Sequence, residues 1–236
     1  MTQAGGLLLI HKPSGVTSHD VVAAVRRKLG LQRVGHTGTL DPLAEGLLIV
    51  LVGAATKRQG ELQGHDKSYE ATLRLGIQTE TGDAGGAPIR LAPVPPFDRS
   101  RLDAACRAFT GEILQTPPAY SAVKVAGRPA YWWARRRQPV VLSARTIRIF
   151  ELAVTDWTAD TVSFRVDCSA GTYIRTLGEA IAEQLGTVGH VTRLVRLRVG
   201  TWRLDEARPL TWLTQAPPAA VIQELRPVPN EPAAHR

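Results

Sequence analysis

Cysteine is scarce in this 236-residue sequence, which contains only Cys106 and Cys168. Two thiols without a metal-ligand spacing provide neither a disulfide framework nor a zinc site. Long apolar runs are absent as well, because the longest, residues 47–52, is far below the about 20 residues that span a bilayer. The opening run, residues 7–10, is too short for a signal peptide. These absences predict a cytoplasmic protein in a reducing compartment.

Acidic residues are in deficit, with 21 Asp and Glu against 29 Lys and Arg and a formal net charge of +8. The segment 117–148 contains no acidic residue at all. Its basic residues are Lys124, Arg128, Arg135, Arg136, Arg137, Arg145 and Arg148, and Tyr120, Tyr131, Trp132 and Trp133 lie among them. Cations neutralise phosphates while aromatic rings stack on bases, so this segment is predicted to contact RNA.

Hydrophobic periodicity predicts several strands and helices. Strands are expected at residues 6–10, 47–52, 69–75, 146–155, 162–168 and 191–199, and helices at 18–30, 99–109 and 173–185. Ser18 is the expected N-cap of the first helix, and a polar turn region is expected at 78–86. The prolines from residue 215 onward predict a loosely packed tail. Because strands and helices interleave without a regular βαβ rhythm, we expect an α+β fold with a mixed sheet.

The segment 35–46 is too rich in glycine and threonine for regular structure, and Asp41 lies within it. Pro42 restricts the residue before it to extended backbone, so the Asp41 carboxylate is presented from a constrained loop. A simple turn is the alternative, because Asp-Pro commonly starts turns. A phosphate-binding P-loop is disfavoured, since the Gly-Lys-Ser/Thr ending is missing.

Five motifs, in the same order, resemble the TruB family of tRNA pseudouridine synthases. They are GHTGTLDP at 35–42, KPSGVTS at 12–18, KSYE at 67–70, QTPPAYSAVK at 115–124 and CSAGTYIRT at 168–176. The resemblance extends over about residues 6–200. It implies the pseudouridine synthase fold, a mixed and mainly antiparallel sheet flanked by helices, with an RNA-binding thumb insertion at about 116–146. It also implies a catalytic domain at 1–210, followed by a short proline-rich tail at 211–236 without the family's PUA domain.

The resemblance implies an isomerase that converts uridine 55 in the TΨC loop of tRNA to pseudouridine after flipping the base. No cofactor and no metal are expected, and the partner is the T-arm of tRNA, bound by a monomer. Asp41 is the expected catalytic carboxylate. Attack at C1′, attack at C6 and removal of a sugar proton all remain open for it.

The resemblance also assigns roles around Asp41. Arg175 is expected to pair with Asp41, Tyr69 to stack on the flipped base, and His36 to fill the space that the base vacates. Lys12, Asp83, Lys124 and Leu194 are the other expected substrate-binding residues. Each has an ordinary alternative. These are a surface arginine for Arg175, a half-buried strand tyrosine for Tyr69, a structural hydrogen bonder for His36, core packing for Leu194 and a polar loop residue for Asp83.

Three positions depart from the usual family pattern: His11 and Gly85 stand where acidic residues are common, and Glu80 where aspartate is usual. Two other functions remain open. A synthase for another RNA, such as ribosomal RNA, is disfavoured by the motif that begins at Gln115. A non-catalytic RNA-binding protein is disfavoured by Asp41, because a carboxylate facing a polyanion weakens binding.

Overall fold

The computed structural model describes residues 5–229, in which strands and helices interleave along the chain. The strands are β1 (Gly6–Lys12), β2 (Val34–His36), β3 (Glu45–Val52), β4 (Lys67–Leu75), β5 (Ile77–Thr79), β6 (Pro88–Leu91), β7 (Gly111–Gln115), β8 (Lys124–Val125), β9 (Arg128–Pro129), β10 (Arg145–Trp157), β11 (Thr161–Cys168), β12 (Gly189–Val199), β13 (Trp202–Arg203) and β14 (Arg208–Pro209). The helices are α1 (Ser18–Leu29), α2 (Gln59–Gln63), α3 (Arg99–Arg107), α4 (Ala130–Ala134), α5 (Ile174–Gln184), α6 (Leu210–Gln215) and α7 (Pro218–Gln223).

The chain divides into two compact units. One contains the described residues up to Ser68 and from Val195 onward, and the other runs from Tyr69 to Leu194. Strands β4 and β12 have residues in both units. Parallel and antiparallel pairs both occur, as in β3 with β12 and β1 with β3 respectively. The expected α+β fold with a mixed sheet is confirmed.

The first unit is built around β3, which pairs with β1 and β2 in antiparallel fashion and with β12 in parallel. Every residue from Leu47 to Val52 is 0% exposed, so the apolar run is covered on both faces, as the sequence predicted. Leu7 and Leu9 of β1 pack with Leu47, Ile49 and Leu51 in one core cluster. This core provides a rigid base for the loop that precedes β3.

Helix α1 begins at Ser18, the residue that the sequence predicted as its N-cap. Thr17 is the N-cap, and its side chain accepts from the Asp20 amide while Asp20 bonds back to the Thr17 amide. The prediction of Ser18 as the cap is therefore wrong. Ser18 is buried, and its hydroxyl is bonded to Leu40 instead. At the other end Gly30 adopts the left-handed conformation, with φ of 64°, as the predicted helix end requires.

The expected loosely packed tail is wrong for residues 215–229. Val221 of α7 is 0% exposed, and the backbones of Leu7 and Arg226 exchange hydrogen bonds of 2.8 and 2.9 Å. Proline fits the first turn of a helix, and Pro218 occupies that position in α7. The prolines therefore begin a helix instead of preventing one. The remaining residues of the predicted tail, 230–236, lie outside the described residues.

In the second unit the strands follow the order β12, β4, β11, β10, β7. Val162, Phe164 and Val166 of β11 are all 0% exposed, which confirms the predicted alternation. Helix α5 buries the predicted stripe that includes Leu177 and Ile181. The polar turn predicted at 78–86 is confirmed for residues 80–86, which connect β5 to its antiparallel partner β6. The segment between β7 and β10 contains β8, β9 and the short helix α4.

Candidate active site

The loop between β2 and β3 carries Asp41, and hydrogen bonds hold it on both sides of that residue. The Ser18 hydroxyl donates to the Leu40 carbonyl at 3.0 Å and accepts from the Leu40 amide at 2.8 Å. The Pro42 carbonyl accepts from the Gly15 amide at 2.8 Å. Asp41 itself is half-buried. The carboxylate is thus presented from a loop whose neighbouring peptide groups are both fixed.

Lys12 supports the same loop from the end of β1. Its fully buried amine donates to the carbonyls of Pro13, Val16 and Pro42 at 3.0, 2.6 and 3.4 Å. Burial lowers the pKa of Lys12 to about 8, whereas the negative charge of Asp41 raises it. The cation and the carboxylate therefore attract each other. Direct contact of Lys12 with substrate stays a prediction, since the amine is bonded to this backbone.

His36 lies at the end of β2 and is held as a neutral side chain. Its pKa is lowered by burial and, to a smaller extent, by the positive charge of Arg196. Nδ1 accepts the Gly38 amide at 3.2 Å, which leaves the ring proton on Nε2. His36 thus bonds within the Asp41 loop, as the structural alternative expected. Its predicted role beside a flipped base stays a prediction.

Arg196 is a supporting residue that sequence reasoning missed. The side chain is 1% exposed; Nε donates to the Leu47 carbonyl at 2.8 Å and Nη2 to the Gly38 carbonyl at 3.2 Å. Strand β12 contains three arginines, Arg193, Arg196 and Arg198, and the sequence does not distinguish the buried one, which requires partners. Its backbone pairs with Gly46, so one residue ties β12 to both ends of the Asp41 loop.

In the second unit, the structure brings together two of the predicted site residues, Arg175 and Asp83. Arg175 is the second residue of α5 and is 4% exposed, and its Nε lies 3.7 Å from Asp83 Oδ2. The guanidinium also donates to the carbonyls of Thr81 and Tyr120, the latter at 2.8 Å. These partners offset the cost of a cation near a helix N-terminus. No sequence pattern indicated the contact between Arg175 and Asp83.

Asp83 is fixed by its own loop. Its Oδ1 accepts from the Thr81 hydroxyl at 2.6 Å and from the Gly85 amide at 3.0 Å. The flanking backbone pairs with Val191 of β12. Asp83 is therefore a buried, oriented anion beside Arg175. Asp83 is a polar loop residue, as the alternative expected, and it also forms an ion pair with Arg175.

The remaining predicted site residues lie in three strands. Tyr69 is the third residue of β4 and is 7% exposed, and Leu194 of β12 is 6% exposed. Lys124 begins β8 and is exposed. The predicted pairing of Asp41 with Arg175 joins residues of different units and stays a prediction, as do the substrate contacts of Tyr69, Leu194 and Lys124.

The basic segment between β7 and β10 carries stacked arginine and tryptophan side chains. Arg136 lies 3.6 Å and Arg128 5.4 Å from the centroid of the Trp132 ring. Trp132 in turn meets Trp133 edge to face, with centroids 4.8 Å apart. Arg135, Arg136 and Arg137 are exposed. Exposed guanidinium groups ordered on aromatic rings are suited to bind phosphates.

No helix within residues 5–229 is long and apolar enough to cross a membrane. Over the same residues, no group of three or more His, Cys, Asp or Glu side chains could hold a metal ion.

The sequence of this chain is similar to those of known proteins. A family model described as TruB family pseudouridylate synthase (N terminal domain) matches residues 26–174. The tRNA pseudouridine synthase B of Hydrogenovibrio crunogenus is 46% identical over 201 residues, which cover 85% of this chain and 66% of that protein. The protein of the same name from Aromatoleum aromaticum is 47% identical over 223 residues, 94% of this chain and 72% of that protein.

Solved structures give the same architecture. A chain of a Cbf5-Nop10-Gar1 complex superposes with a TM-score of 0.71 at 29% identity and covers 95% of this chain. A chain of the archaeal box H/ACA sRNP Nop10-Cbf5 complex gives 0.68 at 26% identity, again over 95% of this chain. This chain spans 60% of the matched chain in each complex and about two thirds of the Hydrogenovibrio protein.

Proposed function

The chain belongs to the TruB family of pseudouridylate synthases, and on that premise we propose that it isomerises a uridine of transfer RNA to pseudouridine. The observation that carries this proposal is the Asp41 loop. Its sequence resembles the family's catalytic motif, and hydrogen bonds from Ser18, Gly15 and Lys12 fix the peptide groups on both sides of the carboxylate. Such anchoring is what a positioned catalytic group requires.

The reaction breaks the N1–C1′ bond of uridine, turns the base, and joins C5 to C1′. C5 loses its hydrogen and N1 gains one, so the reaction is an isomerisation with no redox step. We assign Asp41 to the carboxylate that acts on the nucleotide, by attack or by proton removal. Arg175 pairs with Asp41 in this proposal, and Tyr69 stacks on the extruded base.

The substrate we propose is uridine 55 in the TΨC loop, bound through the T-arm. Support comes from the name shared by the relatives, tRNA pseudouridine synthase B, and from the exposed arginines between β7 and β10. Asp83, Lys124, Leu194, Lys12 and His36 complete the proposed substrate-binding set. We further propose that the protein acts as a monomer, without a metal ion, in the cytoplasm where bacterial tRNA is found.

The activity is tested by tritium release from 5-tritiated uridine in a T-arm stem-loop, with chelator present. We expect release by the wild-type protein, because C5 loses its hydrogen, and none by Asp41→Ala. The variant should keep its RNA affinity, since the carboxylate contributes no attraction to a polyanion. Asp205→Ala is the matched control, because Asp205 is an exposed acidic residue of the first unit whose ion-pair partner is the exposed Arg203.

Each outcome has a definite meaning. Substantial release by Asp41→Ala would refute the assignment of the carboxylate. Release from full-length tRNA alone would extend recognition beyond the T-arm. No release from either RNA, with binding retained, would favour another RNA substrate or a binding protein.

A further inference from the structure

Gln115, the last residue of β7, makes a reciprocal contact with the start of α5. Its Nε2 donates to the Tyr173 carbonyl at 3.1 Å, and its Oε1 accepts from the Tyr173 amide at 2.7 Å. Gln115 is 6% exposed, so its carboxamide is largely removed from water, while Tyr173 is half-buried. A carboxamide presents a donor and an acceptor side by side in this way, whereas an ionised carboxylate or an apolar side chain does not.

Tyr173 is the residue at which this contact matters. It is the N-cap of α5, and its own side chain makes no capping bond. Gln115 accepts the Tyr173 amide, one of the donors that a helix leaves without an intrahelical partner, and adds a second donor to the Tyr173 carbonyl, which also accepts the Leu177 amide at 3.1 Å. Both bonds lie two residues before Arg175. The backbone position of Arg175 therefore depends on a side chain that lies 58 residues before Tyr173 in the chain.

The same stretch is attached to Arg175 a second time. The Tyr120 carbonyl accepts from Arg175 Nη2 at 2.8 Å, and the Tyr120 hydroxyl donates to Glu80 at 2.7 Å. We call residues 115–121 the thumb root, because they lead from β7 into the basic segment. One end of the thumb root holds the backbone before Arg175, and the other end holds its guanidinium.

We propose that Gln115 is a positioning residue that braces the thumb root against α5 and so keeps the Arg175 guanidinium in its catalytic orientation. This inference rests on the proposed function. The basic segment that would bind RNA and the arginine that would act beside Asp41 are then connected through two short hydrogen-bonded links. Loss of Gln115 should impair turnover and leave RNA binding intact, because the exposed arginines are untouched.

The test compares Gln115→Leu and Gln115→Glu with the same changes at Gln184, an exposed residue at the far end of α5. With the T-arm stem-loop, we expect Gln115→Leu to lower kcat by roughly tenfold or more, with KM changed less than about twofold. The Gln184 variants should match the wild type. A thumb variant such as Arg135→Gln should show the opposite split, with KM raised.

Gln115→Glu adds a signature that a merely structural role would not produce. The ionised carboxylate cannot donate to the Tyr173 carbonyl, whereas the protonated acid both donates and accepts, as the amide does. Burial raises the pKa of a carboxyl above its usual value of about 4.3. The kcat of Gln115→Glu relative to the wild type should therefore rise as the pH falls from about 8 to about 5.5. The ratio for Gln115→Leu should stay flat.

Wild-type kcat in both Gln115 variants would overturn the proposal. So would an equal loss at every pH in both, which would assign Gln115 to fold stability. Should the wild type itself release no tritium, the proposed function fails separately, and amide hydrogen exchange then tests the brace. Gln115→Leu must speed exchange in peptides covering both 116–121 and 173–177, and unchanged exchange there would overturn it.

Discussion

Lys12 and Arg196 place two cationic side chains inside the first unit, around the loop that carries Asp41. Each is at most 1% exposed, and each donates to backbone carbonyls of that loop or its flanks. Burying two like charges costs free energy, which the carbonyls and the negative charge of Asp41 offset. The cluster therefore favours a negative charge on the loop, as nucleophilic or basic chemistry requires.

The lowered pKa of Lys12 predicts a pH-dependent stability. Its pKa is about 8 in the folded protein and 10.5 in the unfolded chain. Between these values the unfolded chain binds more protons, so the free energy of unfolding rises with pH, by up to about 3 kcal/mol. Lys12→Met lacks this titration. In urea unfolding, the stability of the wild type relative to Lys12→Met should increase across this window and stay constant below it.

Lys57→Met is the matched control for that experiment, because Lys57 is an exposed lysine of the same unit. The stability difference between Lys57→Met and the wild type should not vary over the same window. A difference between wild type and Lys12→Met that is independent of pH would contradict the assignment of the buried amine.

Gly46 shows how a single residue permits two strands to pair. It has a φ of +113°, and a Cβ at this position would lie 2.4 Å from the Arg196 carbonyl oxygen. Gly46→Ala should therefore destabilise the protein by about 3 kcal/mol or more, measured as the free energy of urea unfolding. Gly30→Ala is the control: φ is +64° but nothing lies within 4 Å, so only the left-handed penalty of about 1 kcal/mol applies.

Similar losses at the two positions would contradict the close approach of β12 to the Asp41 loop. Tritium release from the T-arm stem-loop gives a second readout. Gly46→Ala should lose turnover even under conditions where it remains folded. A shift of β12 would move Arg196 relative to the Leu47 and Gly38 carbonyls, to which its side chain donates.

Regular elements were predictable where the hydrophobic pattern is strong, as in β3 and the buried stripe of α5. Errors arose where a polar side chain has two competing partners. Ser18 satisfies the usual N-cap rule, yet Thr17 caps the helix because the Ser18 hydroxyl bonds to Leu40, 22 residues away. Local sequence carries no information about that distant peptide group. The packing of α7 was missed for a different reason. The prolines around its start indicate a loose tail, whereas Val221 of this helix is buried.

The predicted site residues came from motifs, whereas their supports came only from the structure. Asp41, Arg175 and Asp83 stand in recognisable segments, but the contact between Arg175 and Asp83 joins residues far apart in sequence. Arg196 and Gln115 act through backbone carbonyls and amides, and such contacts leave no residue pattern to read. A supporting side chain is therefore visible only when burial and hydrogen bonding are known.

At the scale of the whole molecule, the net charge of +8 is unevenly distributed. In the first unit, Arg58, Arg203 and Arg208 each pair with a neighbouring carboxylate. The segment 117–148 has no acidic residue of its own to neutralise its arginines. An RNA phosphate backbone is expected to bind where cations are exposed and not already paired.

Neutralising Arg135, Arg136 and Arg137 to glutamine should therefore weaken binding of the T-arm stem-loop and flatten its salt dependence. If each arginine contacts one phosphate, the slope of log K against log salt should become less negative by roughly 2. Arg58→Gln with Arg203→Gln and Arg208→Gln removes the same net charge and is the matched control, which should leave the slope nearly unchanged. Equal flattening in both triple variants would mean that the molecule binds RNA through its net charge. A slope unchanged in the first would exclude this segment from the RNA interface.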